Sequence, residues 1–185
     1  MANEKIVQIP LANVARVELV TEENTPKTYV VDTANEMKLE AFVSEGEEKE
    51  LRKLNRLLAQ LKTEDLTKGY DLTMKDMVMS PPVFALVDGG VSTTGAEGKF
   101  EGYTGPKMGE VVNRTPFTVN IYTEEKDGDG ETTGYLKFTC KHCKGTLADI
   151  EIKDGDFFAP EYKLKSRPKI GESPIAITPL DELPT

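Results

Sequence analysis

A hairpin pattern in the second half of the chain constrains the fold most. In an extended strand, residues 117, 119, 121 and 123 would lie on one face and residues 118, 120 and 122 on the other. Residues 135–140 alternate in the same way. Between them lies an acidic segment, 124–131, that contains two Asp-Gly pairs. Period-two alternation is typical of half-buried strands, and Asp-Gly is a preferred hairpin turn. The sequence therefore predicts a β-hairpin with a solvated tip.

Similar patterns predict further strands. They are short runs that alternate or are rich in β-branched residues, at 14–20, 28–31, 35–43, 70–79, 147–152 and 156–166. About eight strands with one or two helices, and no internal repeat, predict a mainly β protein, an antiparallel β-sandwich or open barrel. We predict a single domain over 1–185, with a β core at 14–167 and extended arms at 1–13 and 168–185. Residues 91–109 hold five glycines and are predicted to be a loop.

Two segments have helical signals. Residues 81–87 are predicted to form a short helix, because Ser80 suits the N-cap, Pro81 the first helical position and Gly89 the left-handed position after the last turn.

Segment 46–62 has the longer helical pattern. Its leucines fall on one stripe of a helix, at 51, 54, 57, 58 and 61, and Ser44 with Glu47 has the form of a capping box. The residues alone therefore predict a helix here. We expect a leucine stripe of this kind to pack against the protein's own core, and consider it less expected that the helix binds in a groove with a partner.

Composition excludes several classes. The chain of 185 residues has 38% hydrophobic residues, enough for a folded core, and a net charge of −9. A chain this acidic is not expected to bind a nucleic-acid backbone unless one face is locally basic. It has no apolar run of transmembrane length and no N-terminal signal region, so we expect synthesis in a cytoplasm without membrane insertion.

One cluster contains residue types that bind metals: Cys140, His142 and Cys143. A structural zinc site needs four ligands, and the chain has no other Cys or His to supply the fourth. In an extended strand, His142 and Cys143 would also point to opposite faces. We therefore predict no metal and no cofactor, and interpret the cluster as a strand end with an inward-facing cysteine.

Catalytic and ligand-binding motifs fail on spacing. Asp127-Gly128-Asp129 begins like a calcium loop, but Thr132 and Phe138 stand where that loop needs glycine and glutamate. The glycines near residues 89–98 lack the spacing of a phosphate-binding loop. No catalytic arrangement can be argued, and we predict that the protein is not an enzyme.

Several segments in order, from about residue 44 onward, resemble a known family. They are Gly69-Tyr70-Asp71-Leu72, the run from Ser80 through Val87-Asp88-Gly89-Gly90, Cys143-Lys144-Gly145, Lys153-Asp154-Gly155 through Ala159-Pro160-Glu161, and Gly171-Glu172-Ser173-Pro174 before a terminal Leu183-Pro184. In order and spacing they resemble the major tail protein of a long-tailed bacteriophage, the subunit of the tail tube.

The resemblance implies a fold, a role and partners. It implies a β-sandwich-like subunit with a flanking helix that forms hexameric rings, and rings that stack into a hollow tube. DNA would pass through the tube without specific binding, and an acidic wall would suit that passage. It further implies tape measure, initiator and terminator proteins as partners, the virion tail as location, and host cytoplasm during assembly.

Some alternatives stay open. For the stretch 46–68, the resemblance implies an extended excursion that contacts the next ring, whereas periodicity predicts a helix over 46–62. The chain could instead be an immunoglobulin-like surface-binding or decoration module, although its lack of Trp makes a glycan site less favoured. A zinc-dependent protein built on Cys140, His142 and Cys143 is the third hypothesis. The sequence does not separate contractile from non-contractile tails.

Overall fold

A computed structural model describes residues 8–184, which form twelve strands and one α-helix. The strands are β1 Leu11–Thr21, β2 Thr28–Val31, β3 Ala34–Ser44, β4 Glu48–Lys53, β5 Arg56–Lys62, β6 Leu66–Asp76, β7 Val91–Thr94, β8 Phe100–Thr104, β9 Phe117–Lys126, β10 Thr132–Gly145, β11 Glu161–Ser166 and β12 Ala176–Leu180. The helix α1 spans Pro81–Asp88, and a 3₁₀ turn spans Ala96–Gly98.

One antiparallel sheet of eight strands dominates the fold. Its order is β2-β1-β9-β10-β11-β6-β3, and β12 pairs with β10. Two separate hairpins, β4–β5 and β7–β8, complete the described strands. The predicted mainly β, antiparallel fold is confirmed.

Strand β10 changes partners part-way along its length. Its first half, Tyr135–Thr139, pairs with β12, and its last residues, Cys143–Gly145, pair with β11. A bulge lies between Cys140 and Cys143, where His142 has a φ of 53°. Bulges bend a strand and increase its twist, so the sheet bends here and its two halves bury one core.

The core is a single cluster with contributions from both halves of the sheet. Strands β1 and β9 supply Val17, Leu19, Val119 and Ile121, strands β6 and β11 supply Leu72, Met74, Tyr162 and Leu164, and α1 supplies Val83, Phe84 and Val87. The Phe84 ring packs edge-on against Tyr103 at a centroid distance of 4.9 Å and against Tyr162 at 6.2 Å. Helix α1 thus covers one side of this core.

Most predicted elements are confirmed. The strands predicted at 14–20, 28–31, 35–43 and 70–79 are β1, β2, β3 and β6, and the predicted hairpin is β9–β10. Helix α1 begins after Ser80, has Pro81 in its first turn, and ends at Gly89. Gly89 has a φ of 85°, and its N–H donates to the Ala85 carbonyl at 2.9 Å, as the glycine signal predicts.

The helix predicted over 46–62 is wrong. This segment is the hairpin β4–β5, in which Leu51 lies opposite Ala59. Strands β3 and β6 hold the two ends of the segment together, since Ser44 pairs with Leu66. A straight helix of this length would be about 25 Å long and would separate those ends. The hairpin base is also closed locally, because the N–H of Glu47 donates to Thr63 Oγ1 at 2.7 Å.

Predictions for several other segments need correction. Residues 147–152 form no strand and make only an isolated bridge at Asp149 to Glu161. The predicted strand at 156–166 is confined to β11. The predicted loop at 91–109 contains the short hairpin β7–β8. Within the arm predicted at 168–185, β12 is an edge strand in which Pro179 lies opposite Leu136. In the arm predicted at 1–13, residues 1–7 lie outside the described residues, and residues 11–13 are already part of β1.

Gly145 provides a test of the contact between α1 and the sheet. A Cβ on Gly145 would lie 2.1 Å from the carbonyl oxygen of Val87, in the backbone of α1. We expect Gly145→Ala to lower the free energy of unfolding by about 1–3 kcal/mol, because the helix must move away from β10. Denaturant unfolding measures this loss.

Gly102→Ala is the matched control. A Cβ at Gly102, in strand β8, meets nothing within 4 Å, so this variant should unfold like the wild type. Equal losses in the two variants would contradict a close approach of α1 to Gly145.

Candidate assembly surfaces

A long strand edge is the first surface. Strand β3 has 11 residues and pairs with β6, and with no other strand of the described residues. Its outer edge therefore presents backbone N–H and C=O groups that a further strand could pair with. Ala41, Phe42 and Val43 near its end are all exposed. An edge of this length, without a bulge or proline in residues 37–42, favours pairing with another chain.

The outer face of β3, β6 and β11 is charged and balanced in sign. Register places Glu36, Lys75 and Glu161 in one row, Lys38, Thr73 and Lys163 in the next, and Glu40, Asp71 and Lys165 in the third. The face thus carries four carboxylates and four ammonium groups. The opposite face of the same strands carries Met74, Leu72 and Leu164, which lie in the core. We call the outer surface the charged face.

Neighbouring charges on the charged face pair with each other. Lys75 Nζ lies 2.8 Å from Glu36 Oε2, and Lys38 Nζ lies 2.9 Å from Glu40 Oε1. The hydrogen bond to Glu36 raises the pKa of Lys75. Both pairs are exposed, so each contributes little to stability, but together they leave no excess of either sign.

The β4–β5 hairpin is a second surface. All five leucines that the sequence places on a helical stripe are at least half exposed here, and Leu54 at the turn is 93% exposed. A monomeric protein rarely leaves such a group of large apolar side chains in water unless a partner covers it. Around the turn the charges are basic, with Lys49, Arg52, Lys53 and Arg56 against Glu50. This hairpin is an apolar and basic projection from the sheet.

The predicted tip of the β9–β10 hairpin is confirmed. Asp127 Oδ1 accepts hydrogen bonds from the backbone N–H groups of Asp129 at 3.0 Å and Glu131 at 2.9 Å. This carboxylate therefore closes the turn. Segment 124–131 carries five acidic residues and one lysine, and it forms an acidic end of the molecule.

The cysteine cluster lies at the bulge of β10. Cys140 and Cys143 are buried in the core, and Cys143 Sγ donates to the carbonyl of Cys140 at 3.3 Å. Burial raises the pKa of Cys140 to about 11 and that of Cys143 to about 12, so both thiols are protonated near pH 7. The ring of His142 instead pairs with Glu22, away from the thiols' core environment, with His142 Nδ1 at 2.9 Å from Glu22 Oε2.

Glu22, the residue after the end of β1, holds the bulge in place. Its carboxylate accepts the backbone N–H of His142 at 2.8 Å and the hydroxyl of Thr118 at 3.0 Å. Burial alone would raise the pKa of Glu22, but the hydrogen bonds from His142 and Thr118 outweigh it and lower the pKa. Glu22 is therefore ionised near pH 7, and its charge holds His142 in its unusual backbone conformation.

Residues 8–184 contain neither a grouped set of metal-ligating side chains nor a membrane-spanning helix. In this range no three His, Cys, Asp or Glu side chains are grouped so that they could hold a metal ion. No helix among the described residues is long and apolar enough to cross a membrane. The absence of a metal site at Cys140, His142 and Cys143 stays a prediction.

Sequence patterns missed two of these surfaces. The charged face depends on which strands are neighbours, and β11 lies beside β6 only after more than eighty residues of intervening chain. The leucines of 51–61 carry a clear pattern, but a stripe at helical spacing does not tell whether a core or a partner covers it. For the charged face, the alternation of residues within β3 is the one local pattern in the sequence that points to a strand with an outward polar side.

Comparisons with known proteins give little further information. No protein-family model matches the chain, and no curated protein matches it. Among solved structures, it is similar to a chain in a cryo-EM structure of the anti-feeding prophage (AFP) baseplate, 6-fold symmetrised. The identity is 11%, the TM-score is 0.42, and the match covers 96% of this chain and 97% of that chain. At these values the likeness assigns neither a family nor a role to this chain.

The Glu22 contact generates a pH-dependent prediction. A carboxylate whose pKa is lowered by folding stabilises the protein above its ordinary pKa, about 4.3, and loses that contribution as the pH falls through the folded value. We expect Glu22→Gln to lower the free energy of unfolding at pH 7 by about 0.5–1 kcal/mol, a small value because the side chain is partly exposed. Denaturant unfolding from pH 7 to pH 3 measures the difference.

The difference between wild type and Glu22→Gln should begin to shrink as the pH falls below about 4.3, because Glu22 becomes protonated and then, like Gln, carries no charge. Glu23→Gln changes the adjacent exposed carboxylate and is the control. A difference that is constant from pH 7 to pH 3 would contradict a role for the Glu22 charge.

Proposed function

We propose that this chain is a structural protein of a phage-type tail, and specifically a tail-tube subunit that assembles into hexameric rings. The rings stack into a hollow tube through which DNA passes to the host. The observation that carries this proposal is the open 11-residue edge of β3 beside a projecting leucine hairpin. A monomer would be at risk of aggregation with both features exposed, whereas closed assembly covers both.

Ring closure uses the sheet edges. When β3 of one subunit pairs with a strand of its neighbour, the contact is heterologous, and a heterologous contact that closes makes a ring. The sheets of all subunits then join around a central channel, and no long edge stays open. This arrangement is the one that the family resemblance implies.

The charged face is the proposed channel wall. Binding of DNA by counterion release requires an excess of lysine and arginine over carboxylates. With four carboxylates and four ammonium groups in each subunit, the wall would have no such excess and would not retain the duplex. Charge balance of this kind replaces the acidic wall that the net charge of −9 led us to expect.

Ring stacking uses the β4–β5 hairpin. Its leucines and basic residues project from the end of the β3–β6 pair, where they can reach the next ring. In this role the β4–β5 hairpin corresponds to the extended excursion, in contact with the next ring, that the resemblance implies for 46–68. The proposal includes tape measure, initiator and terminator proteins as partners, a location in the virion tail, and no enzymatic activity or cofactor.

Electron microscopy and sedimentation of the concentrated full-length protein test the proposal. Hollow rings or tubes of uniform width are the expected result. A compact monomer at every concentration, even with isolated tail tubes added as seeds, would overturn it. Glycan binding by such a monomer would favour the immunoglobulin-like binding module instead.

The leucine hairpin yields a prediction about stacking. We expect the double variant Leu51→Ser with Leu54→Ser to unfold within about 0.5 kcal/mol of the wild type, because both side chains are largely exposed. The same variant should fail to form tubes. Negative-stain images and denaturant unfolding of one preparation measure both properties.

Met108→Ser with Val111→Ser is the matched control, since these two apolar side chains are fully exposed on another loop. Tubes should form normally in this variant. Normal tubes from the hairpin variant would contradict a stacking role for β4–β5.

A further inference from the structure

A cleft lies at the base of the β4–β5 hairpin. It has a volume of about 590 Å³ and is formed by the end of β3, the start of β6 and the turn after β11. Its apolar lining comes from Phe42, Leu66 and Ile170, and its cations are Lys68, Arg167 and Lys169. Glu172 is the single carboxylate of the lining. The cleft is therefore apolar and positively charged on a protein with a net charge of −9.

Hydrogen bonds and stacking hold the cleft in shape. The guanidinium of Arg167 stacks on the Phe42 ring at 4.1 Å from its centroid. Its Nη1 donates to the carbonyl of Tyr70 at 3.0 Å, and its Nη2 pairs with Asp71. Ile170, at the rim of the cleft, is fully exposed and does not belong to the core. A partner would thus meet a surface whose shape is already set.

A second segment has the complementary composition. Residues 147–158 expose Ile150, Ile152 and Phe157, and Phe157 is 93% exposed. The same segment holds four acidic residues and one lysine, a net charge of −3. It is an apolar and acidic projection, which we call the acidic knob.

The acidic knob is anchored where it leaves the sheet. The backbone N–H of Ala148 donates to Oδ1 of the buried Asp88 at 3.0 Å. Asp149 Oδ2 accepts from Lys163 Nζ at 2.6 Å, and Asp149 forms a β-bridge with Glu161. The exposed side chains beyond these contacts are therefore presented from a fixed base, which lowers the entropy lost when they bind.

Charge favours the acidic knob over other exposed apolar segments as the occupant of the cleft. The turn of the β4–β5 hairpin is basic and would be repelled by Lys68 and Lys169, since the charge of Arg167 is already offset by Asp71. The loop at 107–111 exposes Met108 and Val111 but carries one lysine and one glutamate. Only the acidic knob, of these three, combines apolar side chains with a net negative charge.

The cleft and the acidic knob lie at opposite ends of β11. The cleft lies at the end of β11 where Arg167 follows, and the acidic knob is anchored at Glu161, where β11 begins. Six extended residues separate these ends by roughly 17–20 Å. No residue of the acidic knob lines the cleft of its own chain, whereas a second copy can bring its knob there.

We propose that the acidic knob of one copy docks in the cleft of a second copy, with Phe157 against Phe42 and Ile170 and the knob carboxylates facing Lys68 and Lys169. The contact is heterologous, so it propagates from copy to copy. As the contact between ring neighbours, it rests on the proposed function.

Two variants with complementary defects test the contact. Phe157→Ala removes the knob's aromatic side chain, and Ile170→Ser removes an apolar wall of the cleft; both positions are exposed, so both proteins should fold normally. In sedimentation equilibrium each variant alone should self-associate about tenfold more weakly than the wild type. Mixed together, they should form a 1:1 dimer, because one intact knob and one intact cleft remain. Salt should weaken wild-type association.

Met108→Ala is the control, and it should associate like the wild type. Unchanged association of Phe157→Ala would overturn the proposal, since Phe157 of the knob would then not contribute to the contact. Failure of the mixture to form the dimer would also overturn it.

The results separate this contact from the tail-tube role. Hollow rings that form equally well in both variants would overturn the contact and leave the tube role standing. Association that depends on Phe157 and Ile170 but yields only open chains would support the contact and overturn the tube role. A wild type that stays monomeric would overturn both.

Discussion

The partner change in β10 is the constraint on which the rest of the structure depends. A single continuous strand pairs with β12 in its first half and with β11 in its last residues, and the bulge between Cys140 and Cys143 makes this possible. The bulge requires His142 to adopt a positive φ, which is uncommon for a residue with a side chain. Glu22 stabilises this conformation by accepting the backbone N–H of His142. With the bulge in place, both halves of the sheet contribute side chains to one core.

The bend also decides which surfaces stay open. Because β11, β6 and β3 leave β10 at the bulge, β3 becomes the end of the sheet, and its long edge has no partner strand within residues 8–184. The same strands turn their apolar face to α1 and the core and their charged face outward. The β4–β5 hairpin continues from the open end of this layer. The surfaces that the proposed assembly uses are thus all consequences of one change of strand partner.

The net charge of the chain gives a misleading picture of these surfaces. Acidic residues are concentrated at the β9–β10 tip and in the acidic knob, whereas the charged face is balanced and the cleft is positive. At an ionic strength of about 0.15 M, charges act over roughly 8 Å, so a partner responds to the surface that it touches and not to the total. A chain with a net charge of −9 can therefore offer complementary surfaces to a second copy of itself.

The sequence by itself determined the local elements. Alternation and the Asp-Gly turn were enough for β9–β10, and Pro81 with Gly89 was enough for α1, because neighbouring residues fix these conformations. Tertiary structure decided the rest. The leucines of 46–62 fit a helix until the β3–β6 pair fixes the ends of the segment side by side. Residues 147–152 alternate like a strand, but Asp149 finds only one bridge partner. The charged face and the cleft combine residues far apart in the chain, so no local pattern could reveal them.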